Sequence, residues 1–279
     1  RQCEAPAHHG ACFLTLDTPV NATASLIPGQ GASVQAPPLA LTPQPTAMPH
    51  PPLIVTTDTM TVDGDCAALD AADLPGSDGA VSLLEALCVA GNRAGADTVV
   101  LQGGFHYRLD RPHNYWFGPN GLPPVFDELR IEGNGAVLER AADAPPFRFF
   151  YVGAHPASQL PRGRLTLLDL TLTRGLARGG DGGNHAGGGA GLGGAVFNHG
   201  SLHLTRVRLA DNQAQGGDGG ATGFQIHADQ ATGGGGGGLG SDGDTQRGGG
   251  FRPDGAAFQR EVGGTPGAGL NSGGGGAGF

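Results

Sequence analysis

The chain has 279 residues, of which 54 are glycine and 21 proline, and only 6% are aromatic and 15% charged. Such a composition does not fill a large globular core throughout, but it allows a thin, repetitive one. All 16 basic residues are arginine, which excludes a P-loop lysine, a Schiff-base lysine and a lysine general base, and the formal charge of −9 argues against a nucleic-acid partner.

Residues 1–52 form a first segment. Cys3 and Cys12 enclose His8 and His9 and read as a small disulfide loop; a zinc site is the alternative, against which adjacent histidines point in different directions. Asn21-Ala22-Thr23 is a glycosylation sequon. Gln35 to Pro52 is proline-rich and uncharged, and reads as an extended linker or covering strand. The first residue is Arg1, without Met, which fits a processed or trimmed secreted protein. Four cysteines agree with an oxidising compartment; Cys3–Cys12 with Cys66–Cys88 is the local pairing, and four reduced buried thiols are the alternative.

From Leu53 the texture changes. Leu53 to Val62 is rich in β-branched residues and reads as a strand. The spacing predicts one helix at about 82–91, with Ser82 as N-cap, Glu85 completing a capping box, and Leu83, Leu84, Leu87 and Ala90 on one apolar face. Thr98 to Leu101 returns to strand. Most aromatic side chains fall in residues 102–162. Tyr115, Trp116 and Phe117 lie in a loop, where they either bind a sugar or a protein partner or pack against the flank of the fold.

The strongest signal is a segment written twice. Gly163 to Gly183 aligns without gaps on Gly200 to Gly220, matching Leu165/Leu202, Leu167/Leu204, Leu170/Val207, Leu172/Leu209 and Ala177/Ala214. Apolar and polar residues alternate in each copy, with a change of phase at Leu168-Asp169 that marks a corner. Leu129 to Leu138 supplies an earlier copy. Recurrence of this kind predicts a solenoid in which each unit covers its neighbour's apolar face. Stacking the copies sets Asp169 over Arg206 and Arg174 over Asp211, two opposite-charge pairs. The expected fold is all-β: a right-handed parallel β-helix over residues 53–220, with the helix covering one end. A glycine-rich insertion or tail occupies residues 221–279.

After Gly175 the glycine content rises further. Order there requires backbone packing that only glycine permits, such as bundled extended polyglycine helices; the alternative is a disordered insertion. Gly274 to Phe279 repeats the approach Gly187 to Leu192 that precedes the second copy. A further rung is therefore expected to follow, or another chain to cover the end. Gly237 to Asp242 starts like a calcium-binding β-roll repeat, which makes Asp242 and Asp244 weak metal candidates. Gly191-Leu-Gly193 is a fragment of a dinucleotide fingerprint without a following helix, and no cofactor is expected.

Val81-Ser-Leu-Leu-Glu-Ala86, Ala90-Gly-Asn92 and Gly95-Ala-Asp-Thr-Val-Val-Leu101 resemble the CSLREA-type segment of bacterial extracellular β-helix proteins. Ile131 to Gly135 and Gly193 to Asn198 resemble later rungs of that family, so the resemblance spans about residues 53–279. Val81 stands where the family usually has Cys, and Leu84 where it has Arg; Cys66 and Cys88 flank the segment and could staple loop to helix. The resemblance implies a secreted or surface location and no established reaction. The expected function is a non-catalytic extracellular or cell-surface module with a structural or adhesive role. Its partners would be other copies of the chain, other surface proteins or carbohydrate, with no nucleic acid and no membrane span. The alternative is a polysaccharide lyase or glycoside hydrolase, whose acid–base groups would come from Asp169, Arg206, Arg174 and Asp211.

Overall fold

The computed structural model describes residues 50–153, 163–183, 186–220, 236–243 and 249. All of these belong to one compact unit, Thr46–Phe279. Cys3, Cys12, His8, His9, the sequon, Asp244 and Gly274 to Phe279 lie outside the described residues.

The described chain is a parallel β-helix of about three turns with one helix. In chain order the elements are β1 (Leu53–Ile54), α1 (Leu83–Asn92), β2 (Ala96–Val100), β3 (His106–Leu109), β4 (Glu128–Arg140) and β5 (Phe150–Val152). They continue with β6 (Arg164–Thr173), β7 (Leu176–Arg178), β8 (Val196–Asn198), β9 (Ser201–Thr205), β10 (Arg208–Ala210) and β11 (Gln213–Gln215). Successive turns begin at β2, β4 and β6, β9 to β11 open an incomplete fourth, and every ladder between them is parallel. A second wall stacks β5 on β8, and a third stacks β7 on β11.

Alternation decides which residues fill the interior. Val99, Ile131, Leu167 and Leu204 occupy the same register position on four consecutive strands. The first three are 0% exposed, because each has an apolar neighbour on both sides along the stack. Leu204 is 42% exposed and Leu209 is 49%, although their register partners Leu167 and Leu172 are fully buried. Among the described residues no strand pairs with the far edge of β9 or β10.

The predicted corner is present as a change of backbone hand. Asn134, Asp169 and Arg206 have φ of 51°, 47° and 53°, a left-handed conformation at the same corner of three turns. Asn and Asp tolerate that region better than most residues. β4 spends Gly133, Asn134 and Gly135 on the corner where β6 spends Asp169 alone, and this accounts for the register shift between Glu132 and Ala136.

The helix forms as its cap predicts. Ser82 Oγ accepts from Glu85 N at 3.1 Å, and Glu85 accepts from Ser82 N at 2.8 Å. Glu85 is itself only 2% exposed, and its second oxygen accepts from Asp63 N at 2.9 Å, so the buried carboxylate also anchors the loop before the helix. Leu83, Leu87 and Ala90 are buried as expected, whereas Leu84 is only half-buried. Ala86, Cys88 and Val89 are also buried, in one core cluster that includes Leu69 and has the partly buried Cys66, Ala71 and Leu74 packed against it.

The glycine-rich segments are ordered where they are described. Residues 179–183, 186–191, 216–220 and 236–238 bond laterally through their backbones. Gly180 N donates to Gly238 O at 2.8 Å, Gly189 N to Gly180 O at 2.7 Å and Gly217 N to Gly189 O at 2.9 Å. A Cβ on Gly180 or Gly189 would collide with the carbonyl of Ser241 or of Gly238. The bundle therefore exists because these positions carry no side chain.

Candidate functional site

The outer corners contain the charged residues singled out from the duplication. Arg206 Nε and Nη2 reach the two oxygens of Asp169 at 2.5 and 2.7 Å, as the stacked register requires. This two-pronged hydrogen bond holds the Asp169 carboxyl below the usual carboxylate range, so Asp169 is a poor proton donor at neutral pH. The second expected pair, Arg174 with Asp211, does not form. Arg174 Nη1 instead turns back one turn to Glu139 Oε1 at 2.8 Å, and His106 Nε2 approaches the other oxygen of Glu139 at 2.6 Å. Glu139 is 17% exposed and offers a better-desolvated partner than Asp211. Burial acts to raise its carboxyl, but Arg174 and His106 outweigh burial and hold it below the usual range. Asp169 and Arg206 line one depression with Asn134 and Thr171, and Arg174 and Asp211 line another with Arg140 and Gln213. The four residues therefore do not converge on one substrate.

The loop aromatics pack against the flank. Phe117 is 9% exposed and lies 5.2 Å, centroid to centroid, from the buried Tyr151 ring. Trp116 meets Phe126 edge-on at 5.4 Å and stacks near-parallel over Tyr151 at 6.4 Å. Tyr115 lines a cleft with Pro112, Pro119, Pro146 and Ser241.

Sequence reasoning missed the group that organises this region, Arg148. It is 2% exposed. Its guanidinium donates to Asn120 Oδ1 at 2.7 Å, to Leu192 O at 2.6 Å, and to Phe117 O and Trp116 O, and lies 4.9 Å from the Phe197 ring centroid. Burial lowers its pKa to about 10, which leaves it cationic at neutral pH. The fork thus ties the aromatic loop to the segment leading into β8 with one side chain. An arginine between two Phe residues gives no sign of this in the sequence.

A second unforeseen feature is Asp97. It occupies the register position of Leu129, Leu165 and Leu202, yet is 3% exposed. Arg93, at the C-cap of α1, reaches it at 2.5–2.6 Å. Loss of water raises the Asp97 carboxyl, with Arg93 opposing the rise. Asp97 borders a cleft of about 390 Å³ between the end of α1 and residues 123–129, which Asp127 also lines. Asp127 accepts from Gly95 N and Glu128 N, so both carboxylates are engaged in holding backbone or a neighbouring cation.

Cys66 and Cys88 form the expected local disulfide, with Cα atoms 5.2 Å apart, between the pre-helix loop and α1. Asp242 Oδ1 accepts from Asp181 N at 2.7 Å within the glycine bundle. It is thus committed to a backbone contact. No described helix is long and apolar enough to cross a membrane. No family model matches the chain, and neither a curated protein nor a solved structure does so.

Proposed function

We propose that the chain is a non-catalytic extracellular or cell-surface module that builds structure or adhesion by joining copies through the open end of its fourth turn. The observation that carries this reading is the contrast between Leu204, at 42% exposure, and its fully buried register partner Leu167. An unpaired strand edge with exposed leucines is a ready template for another strand. The first turn offers no equivalent end, because α1 and β1 pack there. The same face must then meet itself, giving a two-fold contact. Charges favour this: Arg208 and Asp211, both on the fourth turn, make no ion pair among the described residues, and across a two-fold axis one can face the other. The Cys66–Cys88 bridge is compatible with an oxidising exterior, and the resemblance to CSLREA-type proteins supports the same location.

The competing reading is a polysaccharide-active enzyme, and the α1 cleft with its buried Asp97 is the observation that favours it. Asp97 faces Arg93 and Asp127 holds Gly95, which is the arrangement of a structural brace. Glycan-array binding combined with an activity screen on acidic polysaccharides separates the two. The module reading predicts no turnover, and turnover abolished by Asp97→Asn would establish the enzyme.

A further inference from the structure

Three potential metal ligands converge where the pre-helix loop, α1 and the aromatic loop meet. The sulfur atoms of Cys66 and Cys88 and a ring nitrogen of His113 all lie within 4.8 Å of one another. Cys88 is buried, Cys66 half-buried and His113 exposed. We propose that this trio is a binding site for a borderline-soft divalent cation of the zinc type in the reduced protein, with the disulfide as its oxidised, metal-free alternative. The inference is independent of the function proposed above.

The chemistry of the donor set supports the assignment. Two thiolates and one imidazole are ligands that zinc prefers, and three protein ligands leave a fourth position for water. Zinc bonds of about 2.0–2.3 Å place tetrahedral ligands about 3.5–3.8 Å apart. Opening the bridge lets the sulfurs separate to that spacing, and the imidazole closes in by side-chain rotation. The walls of the site are held independently of the disulfide. Asn92 Nδ2 donates to Cys66 O at 2.7 Å and to Leu69 O at 2.9 Å, tying the Cys66 loop to the end of α1. Glu85 holds Asp63 N at 2.9 Å, and Ser82 Oγ donates to Thr61 O at 2.5 Å. On the third side, His113 N donates to Asn120 O at 2.7 Å, in the loop that Arg148 braces.

The steps balance. An external dithiol gives two electrons and two protons to the Cys66–Cys88 bond, forming two thiols as the reductant becomes a disulfide. Cation binding then displaces one proton from each thiol and none from neutral His113.

The experiment uses the full chain carrying Cys3→Ser, Cys12→Ser, His8→Ala and His9→Ala, which removes the other Cys and His pair near the N-terminus. Reduced protein is titrated with Co(II) alone and then with Zn(II). The expected result is one equivalent bound, with sulfur-to-cobalt charge-transfer absorption and the intense visible bands of a tetrahedral ion, displaced by Zn(II). The oxidised protein shows neither. Cys66→Ser and Cys88→Ser each lose the binding, and His113→Ala weakens it by at least about tenfold. Far-UV circular dichroism of each sample checks that the β-helix persists. Absence of stoichiometric binding, equal binding by oxidised protein, or His113→Ala binding as tightly as its parent overturns the proposal. So does a reduced chain that loses its β signal with and without metal.

Discussion

Leu167 and Leu204 occupy the same position on adjacent parallel strands, and one is fully buried while the other is 42% exposed. Identical side chains in identical register differ only in whether a further strand covers them. Leu167→Ala should therefore cost about 2–5 kcal/mol, the usual range for a buried leucine. Leu204→Ala in the isolated chain should cost under half as much. Urea unfolding of both variants measures the difference, and equal losses would mean that Leu204 is covered in solution.

Asp97 sits where the next three turns have leucine, so its carboxylate interrupts an apolar ladder. Asp97→Leu should be neutral or stabilising, because a buried ion pair often contributes less than apolar packing of similar volume. The pH dependence has a definite sign. Burial raises the folded-state pKa above 3.8, so the folded form binds more protons than the unfolded one between the two values. Stability arising from this group is greatest in acid and falls as pH rises through the folded value. The advantage of Asp97→Leu should accordingly be larger at pH 7 than at pH 4, as read by denaturant midpoints at the two values.

Asp169 shows the opposite dependence. Its hydrogen bonds to Arg206 depress the folded-state pKa below 3.8, so their contribution is present at neutral pH and disappears as acid protonates the carboxyl. Asp169→Arg should lower the melting temperature slightly, and Asp169→Arg with Arg206→Asp should recover much of the loss. The effect should shrink in high salt, since both groups are solvent-facing. A double variant no better than the single one would show that the pair is inert.

Much of the fold was legible because the chain spells it repeatedly. Leu165, Leu167, Leu170 and Leu172 recur as Leu202, Leu204, Val207 and Leu209, and such a recurrence fixes register without any other knowledge. Asp169–Arg206 followed directly from that alignment. Arg174 did not follow it, because an arginine side chain can reach forward or back one turn, and the deciding partner, Glu139, belongs to a copy whose corner has two more residues. Arg148 and Asp97 were illegible for a different reason. Their roles are set by burial and by carbonyls or cations from elements distant in sequence, and neither leaves a periodic trace.

Arg148→Met should remove the donor to Asn120 and to the Leu192, Phe117 and Trp116 carbonyls together. Buried acceptors left without a donor cost about 1–3 kcal/mol each, so a loss of more than 3 kcal/mol is expected even with partial rescue by water. Trp116 is the only tryptophan, so its fluorescence reports this region directly, and the emission should shift to the red in the variant. An unchanged spectrum would mean that the aromatic cluster holds without the guanidinium.

The glycine bundle gives a positional contrast. Gly189→Ala places a methyl group against the Gly238 carbonyl, whereas Gly187→Ala meets nothing within 4 Å. The first should destabilise by at least about 1–3 kcal/mol, as overpacking does, and the second should be close to neutral. Hydrogen exchange of the Gly180, Gly189 and Gly217 amides measures both, and comparable protection in the two variants would indicate a loose bundle.

The most direct test of the proposed module is sedimentation equilibrium of the full chain beside Leu204→Arg/Leu209→Arg. Both leucines are exposed in the single chain, so the substitutions should leave its folding intact while placing like charges across the two-fold contact. The expected result is concentration-dependent dimerisation of the parent chain and a folded monomer for the variant over the same range. A parent chain that remains a folded monomer at every concentration, or a variant that associates equally well, would contradict joining through the fourth turn.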